Sequence, residues 1–318
     1  MKAIYYTKYG SPDVVQLKEI EKPVPKENEI LLRVQASSLN QYDLHLLTGT
    51  PFLVRLMGAG LFKPGRKIPG ADIAGQVEAV GLNAKQFKPG DEVFGCGGKG
   101  FAEYACVQEN KYAPKPSNLT PEEAAAVPMA ALTALQGLRD KGKIRKGQRV
   151  LINGASGGVG SFAVQLAKLF ETEVTAVCRT SKMDFVRSVG ADQVIDYTRE
   201  DATKIGQPYD LIFDIAAYRP VSDYKRILKP GGIYIIAGGS VARIVQMMLV
   251  SKIGKKNKNM MTMMANVDQK DLLILKEYLE AGKIRPFIDK RYPLNEAGAA
   301  LWYLKNGLAK GKVVVTVP

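Results

Sequence analysis

The chain has 318 residues, of which 46% are hydrophobic and 24% charged, a balance typical of a soluble globular protein with two domains. No apolar run reaches the roughly 18 residues of a membrane-spanning helix, and the N-terminus leads into Lys8 and Asp13 without a secretory apolar region. The net charge is +14, but no aromatic residues interleave with the densest basic stretch, so the charge does not predict nucleic-acid binding. That stretch contains Lys252, Lys255, Lys256 and Lys258.

Three cysteines, at positions 96, 106 and 178, form no CxxC pair and no even set. They predict free thiols in a reducing compartment, and hence a cytoplasmic protein.

The first part of the chain has the sequence pattern of a β domain. Short alternating apolar runs at 30–34, 73–80 and 92–94 are broken by Gly and Pro, and 87–91 supplies a turn. This spacing predicts an antiparallel, barrel-like domain. The closing run at 312–317 predicts a strand that pairs back into it, so the domain comprises 1–122 and 286–318.

The sequence pattern changes at Thr120. Thr120 is a predicted N-cap, followed by Pro121 and the capping-box acid Glu123, and together they predict the start of an Ala-rich helix. Strands then alternate with helices. The predicted strands are 150–152, 173–178, 194–195, 211–214 and 233–237, and the predicted helices include 160–170 and 181–189. This order predicts an α/β domain over 123–285, with a doubly wound parallel sheet covered on both faces.

A glycine-rich turn lies between the first of these strands and its helix. It runs Ala155, Ser156, Gly157, Gly158, Val159, Gly160. The strand–turn–helix context predicts a dinucleotide site, because the helix N-terminus stabilises diphosphate charge. Gly157 allows the backbone to approach the phosphates, and Gly160 allows the helix to pack on the strand. Ala155 replaces the usual first glycine.

The end of the next strand predicts which nicotinamide cofactor binds. An NAD enzyme carries Asp or Glu there, about 20 residues after the turn. Here residues 178–182 contain no carboxylate, whereas Arg179 can face a 2′-phosphate with its planar guanidinium and Lys182 adds a point charge. The sequence therefore predicts NADP(H).

Together these features resemble the medium-chain dehydrogenase/reductase superfamily, specifically its zinc-lacking quinone oxidoreductase branch, which is similar to zeta-crystallin. The resemblance covers the whole chain, through 36–43, 69–75, 132–134, 154–160, 194–197 and 311–314. It implies a GroES-like β-barrel domain beside a Rossmann-type domain, an active site in the cleft between them, and a homodimer. It also implies further cofactor contacts. Those residues are Thr133, Ser181, Tyr197, Gly238, Gly239 and Ser240.

The positions of zinc ligands in zinc-dependent relatives are occupied differently here. Those relatives carry Cys and His where this chain has Asn40 and Ala71, and His45 is the one histidine. A catalytic zinc normally takes three protein ligands. The sequence therefore predicts no metal.

Without a metal, the predicted reaction is hydride transfer to a quinone or to an α,β-unsaturated carbonyl compound. The resemblance nominates Asn40 as a donor to the developing oxyanion. Asp43 is a second candidate, although it could instead organise its loop. Tyr42 is a candidate proton donor or a packed residue, and His45 is a candidate proton shuttle or a packed residue.

Two further segments carry hypotheses. Residues 51–62 are apolar and glycine-broken, and predict a hydrophobic lid or wall that favours bulky apolar substrates. Residues 244–264 combine six methionines with the lysine cluster. They predict either a flexible basic surface or a Met-rich wall or subunit interface, with peripheral membrane contact as the less favoured alternative.

The leading hypothesis is thus an NADPH-dependent, zinc-independent reductase of small-molecule quinones or enones. The alternatives are a zinc-free NADP-dependent alcohol or aldehyde dehydrogenase, and a non-catalytic NADPH-binding protein.

Overall fold

The structure is a computed structural model that describes residues 1–205, 208–252 and 259–318. The chain divides into two compact units, each described by itself below. The first unit consists of Met1–Met129, Val267–Gly282 and Pro286–Pro318. The second consists of Ala130–Asn266 and Lys283–Arg285.

The strands and helices are numbered in chain order. The strands are β1 Lys2–Tyr5, β2 Gln16–Glu19, β3 Glu29–Ser38, β4 Asp72–Val80, β5 Glu92–Cys96, β6 Tyr104–Gln108, β7 Tyr112–Pro114, β8 Arg149–Asn153, β9 Glu173–Cys178, β10 Gln193–Asp196, β11 Tyr209–Asp214, β12 Leu228–Ile236, β13 Met260–Thr262, β14 Ile288–Pro293 and β15 Lys312–Thr316. The α-helices are α1 Gln41–Thr48, α2 Phe52–Val54, α3 Pro121–Ala125, α4 Pro128–Gln136, α5 Gly158–Leu169, α6 Met183–Ser188, α7 Val221–Arg226, α8 Val241–Lys252, α9 Gln269–Glu280 and α10 Ala297–Lys305. Single π-turns follow α2 at Arg55–Ala59 and α4 at Gly137–Lys141. Among the described residues, none of these helices is long and apolar enough to cross a bilayer.

The first unit is built on a seven-stranded sheet of order β14-β15-β3-β4-β5-β7, with β6 pairing to β3. β3 is the long central strand, and its alternation of buried and accessible side chains places Leu32 and Val34 in the core. β15 pairs antiparallel with β3, which confirms the predicted return of the closing strand. The carboxyl-terminal segment therefore completes a sheet begun near the N-terminus.

Helix α9 lies in the first unit, although its sequence lies inside the predicted 123–285 domain. Gln269 at its start donates to the carbonyl of Tyr112, and Asn118 donates to the carbonyl of Leu279 near its end. Its apolar face, with Leu272, Leu275 and Leu279, is buried. A 3.6-residue period predicts such a helix but not the surface on which it packs.

The second unit is a parallel six-stranded sheet of order β10-β9-β8-β11-β12-β13. Strand order reverses between β8 and β11, as in a Rossmann-type doubly wound sheet. The central strands β8 and β11 are buried except at Arg149 and Asp210, which explains the apolar runs 150–152 and 211–213. The predicted parallel α/β sheet is confirmed.

The described residues of the Met-rich segment, 244–264, include most of α8 and the sixth strand β13. Met247 and Met260 are buried in the core beside Tyr234. The interpretation of these two methionines as a surface excursion is therefore wrong. Their unbranched side chains fill the space at the sheet edge. Lys255, Lys256 and Lys258 of the predicted basic cluster lie outside the described residues, and the side chain of Lys252 is likewise not described.

Candidate active site

The glycine turn joins β8 directly to α5. Gly154 has a φ of +83°, and the amides of Gly154 and Ala155 both donate to the carbonyl of Val177 at 3.2 Å. These bonds fix the turn against the neighbouring strand β9. Gly157 is the N-cap of α5, so the first amides of the helix have no carbonyl partner within it.

The two functional glycines of the turn differ in the space around them. A side chain at Gly160 would place its Cβ 2.2 Å from the carbonyl oxygen of Gly154, which is backbone that cannot move aside. A Cβ at Gly157 would meet only that same oxygen, at 3.6 Å. Gly160 thus allows α5 to pack on the turn, whereas Gly157 leaves the concave side of the turn open to a ligand.

The predicted cofactor residues of this unit follow the carboxyl ends of adjacent parallel strands. The glycine turn follows β8, Arg179 follows β9, Tyr197 follows β10, and the sequence 238–240 comes two residues after β12. Parallel strands present these ends along one edge of the sheet, and ligands of such sheets bind there. Thr133 lies on α4 of the same unit, half-buried and with a polar or charged partner.

The end of β9 is cationic and accessible. Arg179 is exposed, and its Nε donates to the hydroxyl of Tyr197 at 3.3 Å. Ser181 is also exposed, and Lys182 is half-buried. The guanidinium retains donors for an anionic group, since a single Nε–H contact uses one of its five N–H bonds.

One carboxylate does lie near this end, at Asp196 on β10, but it is engaged. It accepts hydrogen bonds from the hydroxyl of Thr180 and from both the amide and the hydroxyl of Thr198, the latter two at 3.0 and 2.7 Å. The hydrogen bond from Thr180, together with those from Thr198, lowers the pKa of the Asp196 carboxyl. Asp196 therefore orders the loops after β9 and β10.

Residues 238–240 form a loop after β12 that packs closely against the backbone of Ala217. Gly239 has a φ of +110°, and a Cβ there would lie 2.2 Å from the amide nitrogen of Ala217. The amide of Ser240 donates to the carbonyl of Ala217 at 2.9 Å. The two glycines thus let this loop run against the segment after β11.

A buried polar network lies beneath the glycine turn. Asp214, at the end of β11, accepts from Asn153 Nδ2 at 2.7 Å, from the Tyr234 hydroxyl at 2.9 Å and from the Ala216 amide at 3.2 Å. Asn153 is the last residue of β8 and immediately precedes Gly154. Burial raises the pKa of the Asp214 carboxyl to about 6, against the opposing effect of these hydrogen bonds.

The network makes stability depend on pH in an unusual direction. Asp214 titrates at about 6 in the folded protein and at about 3.9 in the unfolded chain, so the folded state binds this proton more tightly. Its contribution to the free energy of unfolding is full below pH of about 4 and is lost as pH rises through about 6. The whole difference corresponds to about 3 kcal/mol.

We therefore expect Asp214→Asn, which keeps the shape of the side chain but cannot ionise, to gain stability relative to wild type as pH rises from about 4 to about 7. Melting temperatures measured across that range test this. Asp210→Asn is a control on the same strand, because Lys229 and the Arg149 amide hold the pKa of Asp210 below its usual range despite its partial burial. That variant should lose stability, and an Asp214 variant with the same pH profile as wild type would contradict the assignment.

The first unit contains a second polar cluster, at the start of α1. The Asn40 amide donates to Asp43 Oδ2 at 2.9 Å, and the Gly70 amide donates to Asp43 Oδ1 at 3.0 Å. Asp43 is buried, and burial raises the pKa of its carboxyl to about 6. Both carboxylate oxygens therefore tie the helix start to the segment before β4.

Lys312, the first residue of β15, brings a buried ammonium into this cluster. Its Nζ donates to Asn40 Oδ1 at 2.7 Å, to the Leu39 carbonyl at 3.1 Å and to Asp72 Oδ2 at 3.3 Å. Asp72 also accepts from the Ser38 hydroxyl and from Asn40 Nδ2, each at 3.0 Å. The amide of Asn40 is thereby oriented with its oxygen toward Lys312, and its second N–H makes only a long contact of 3.4 Å to the Ser38 carbonyl.

The other two predicted catalytic residues lie on the accessible side of α1. Tyr42 is 37% exposed, with the guanidinium of Arg66 5.9 Å from its ring centre, and partial burial raises the pKa of its hydroxyl. His45 is exposed, and its Nδ1 lies 2.8 Å from the Thr50 carbonyl, so this nitrogen carries the proton. The interpretation of His45 as a packed core residue is wrong, because the helix turns it toward solvent.

Comparison with known proteins places these features in a family. Residues 26–117 match the model of the alcohol dehydrogenase GroES-like domain, and residues 189–315 match that of the zinc-binding dehydrogenases. The chain is 35% identical to the chloroplastic quinone-oxidoreductase QR1 of Triphysaria versicolor, over 99% of this chain and 98% of the relative. The chain belongs to the quinone oxidoreductase branch of the medium-chain dehydrogenase/reductase superfamily.

Two other members of this superfamily show the range of relatives. The chloroplastic NADPH-dependent alkenal/one oxidoreductase of Arabidopsis thaliana is 34% identical, over 99% of this chain and 79% of its own length. The structure of the quinone oxidoreductase from Coxiella burnetii matches with a TM-score of 0.90 at 29% identity, over 100% of this chain and 99% of that one.

The two positions compared in the sequence analysis with zinc ligands are Asn40 and Ala71. Ala71 is buried and offers a methyl group, and Asn40 faces an ammonium. Across residues 1–205, 208–252 and 259–318, no three His, Cys, Asp or Glu side chains are grouped so as to hold a metal ion.

Asp72, Lys312 and Asp214 are site residues that the sequence analysis did not single out. Asp72 and Lys312 lie in two of the segments that carry the family resemblance, but their contact is between residues 240 positions apart. The sequence feature that could have pointed to Lys312 is a lysine directly before the apolar run 313–315. For Asp214, the signal was an acid directly after the apolar run 211–213.

Proposed function

We propose that this protein is an NADPH-dependent reductase that transfers hydride to a quinone or to an α,β-unsaturated carbonyl compound without a metal. The observation that carries the proposal is the edge of the second unit's sheet, where an open glycine turn stands beside the exposed Arg179. The quinone oxidoreductase and alkenal/one oxidoreductase relatives support the same acceptor classes.

The residues of the second unit fit a phosphorylated dinucleotide. The space beside Gly157 accommodates a diphosphate, which the first amides of α5 would bind with the positive end of the helix dipole. Arg179 and the hydroxyl of Tyr197 would hold the 2′-phosphate. Ser181 and Lys182 follow Arg179 closely in the sequence. When bound, the reduced nicotinamide supplies the hydride.

Cofactor preference provides a direct test of Arg179. We expect Arg179→Ala to lower kcat/KM for NADPH about 10- to 100-fold, because a charge-assisted bidentate contact is lost, and to change kcat/KM for NADH less than about threefold. Arg187→Ala is the matched control, since Arg187 is exposed on α6 and pairs with Asp184. Equal losses with both cofactors would contradict the role of Arg179.

The residues of the first unit supply candidate donors to the acceptor's carbonyl oxygen, where negative charge develops during hydride transfer. Two are supported by the contacts above. The Tyr42 side chain is partly exposed, and Asn40 has one weakly engaged N–H. Asp43 is supported as a positioning residue, because both of its oxygens already accept backbone amides.

Independence from zinc is supported by the same cluster. The Lys312 ammonium donates to Asn40 Oδ1 and to Asp72 Oδ2, so a cation of the protein itself already occupies these two oxygen atoms. Ala71 and Asn40 leave the position short of the three ligands that catalytic zinc takes.

A substrate panel on metal-stripped protein tests the whole proposal. NADPH absorbance is followed with 1,4-quinones, with enones and with simple aldehydes, and the metal content of the untreated protein is measured in parallel. We expect the metal-stripped protein to oxidise NADPH with quinones or enones. Added zinc should not be needed to restore this activity. Turnover with aldehydes alone would favour a zinc-free alcohol or aldehyde dehydrogenase. NADPH binding without turnover would favour a non-catalytic binding protein.

We also propose a cytoplasmic homodimer. The three cysteines are free thiols, which supports a reducing compartment, and the superfamily resemblance supports the dimer. Light scattering after size exclusion measures the assembly state.

A further inference from the structure

The segment between α1 and β4 exposes large apolar side chains. Phe62 is 86% exposed, Leu56 is 61% exposed and Phe52 is 59% exposed, with Leu53 and Leu61 also accessible. Several large exposed apolar side chains within residues 52–62 mark an interaction surface. The hydrophobic lid or wall expected for 51–62 stays a prediction.

The same segment is rich in basic residues. No Asp or Glu occurs between Asp43 and Asp72, whereas Arg55, Lys63, Arg66 and Lys67 all lie there. Lys63, Arg66 and Lys67 are exposed. Residues 52–67 are called here the apolar-basic segment.

The apolar-basic segment is anchored to the body of the first unit. The Arg55 guanidinium stacks on the Tyr9 ring at 4.3 Å and on the Phe52 ring at 5.8 Å, and its Nε donates to the Gly49 carbonyl at 2.9 Å. The Tyr9 hydroxyl donates to the Ala59 carbonyl at 2.8 Å. The exposed side chains are thus presented by an ordered backbone.

We propose that the apolar-basic segment docks on an anionic lipid bilayer surface, with Phe52, Leu56 and Phe62 in the interface and the basic side chains against the lipid headgroups. Exposed Phe and Leu beside Lys and Arg have the composition of interfacial membrane contacts. Charge favours this occupant over a second copy of the chain. Two-fold pairing would set each basic segment against its own copy, in a protein of net charge +14.

Vesicle sedimentation tests this proposal. The full-length protein is mixed with phosphatidylcholine vesicles, with or without one third phosphatidylserine, at physiological ionic strength. We expect binding to the anionic vesicles alone, and binding that is about tenfold weaker or more for the Leu56→Ser/Phe62→Ser variant. Val24→Ser/Leu82→Ser, which removes apolar side chains that are 83% and 89% exposed elsewhere in the first unit, should bind like wild type.

A second pair of variants isolates the charge. Lys63→Gln/Lys67→Gln should weaken vesicle binding several-fold more than Lys85→Gln/Lys88→Gln, since all four lysines are exposed and only the first two belong to the apolar-basic segment. The melting temperature and the dissociation constant for NADPH verify that each variant is folded, and neither depends on the reductase reaction.

Three outcomes would overturn the proposal. They are no binding to anionic vesicles, binding that the Leu56→Ser/Phe62→Ser variant retains in full, and self-association in solution that this variant alone abolishes. The second would assign vesicle binding to the overall charge, and the third would assign the surface to a second copy.

Discussion

Gly160→Ala should abolish NADPH binding and destabilise the second unit. The new Cβ would lie 2.2 Å from the Gly154 carbonyl oxygen and 2.6 Å from two backbone atoms of Ala155. Helix α5 would have to move off the turn, and overpacking of this kind costs about 1–3 kcal/mol or more. Because the same movement displaces the amides at the start of α5, we expect the dissociation constant for NADPH to rise at least about 100-fold.

Gly157→Ala is the matched control for this prediction. Its Cβ would make an ordinary 3.6 Å contact, and its φ of −84° suits alanine, so the melting temperature should be close to that of wild type. NADPH should still bind more weakly, because the methyl group would occupy the space left for the diphosphate. Fluorescence titration with NADPH and thermal unfolding separate the two effects. A Gly160→Ala protein that binds NADPH like wild type would refute the packing argument.

Lys312→Met should strongly destabilise the first unit and impair turnover. It would leave the Asp72 carboxylate buried without its cation and the Asn40 side-chain oxygen without its 2.7 Å donor. Removing one partner of a buried ion pair typically costs about 3–5 kcal/mol. We expect the melting temperature to fall by about 6 °C or more. We also expect kcat to fall at least about tenfold, because Asn40 would lose its fixed orientation.

Two comparisons distinguish positioning from general destabilisation. Lys310→Met removes an exposed lysine just before β15 and should change neither quantity. Lys312→Arg keeps the charge and should recover part of the stability and of kcat. The dissociation constant for NADPH should stay unchanged in Lys312→Met, since the predicted cofactor residues all lie in the second unit. Unchanged melting and kcat would show that the ammonium contributes nothing to the cluster.

The fold of the second unit could be predicted closely from the sequence, because the features that determine it lie close together in the chain. Strand, glycine turn and helix are adjacent in the chain, so the environment of Gly157 and Gly160 follows from a dozen residues. The cationic end of β9 is equally local, because Arg179 follows the strand directly. Parallel pairing then places these ends together without further information.

The polar cluster of the first unit could not be predicted in the same way. Lys312 reaches Asn40 across 272 positions, and a lysine at a strand start gives no indication of its partner. The sequence also contains no indication that α9 packs in the first unit, since an apolar helix face fits any complementary surface. Strand β13 was missed because a run of methionines carries no strand period.

Strand β15 lies between β14 and β3, so the sheet of the first unit cannot be completed until residues 312–316 have left the ribosome. The second unit is almost continuous in the chain, and its six strands β8–β13 are all synthesised before β15. During synthesis, the cofactor-binding half should therefore fold first. The N-terminal strands would wait with unpaired edges, a period in which chaperone binding would be most useful.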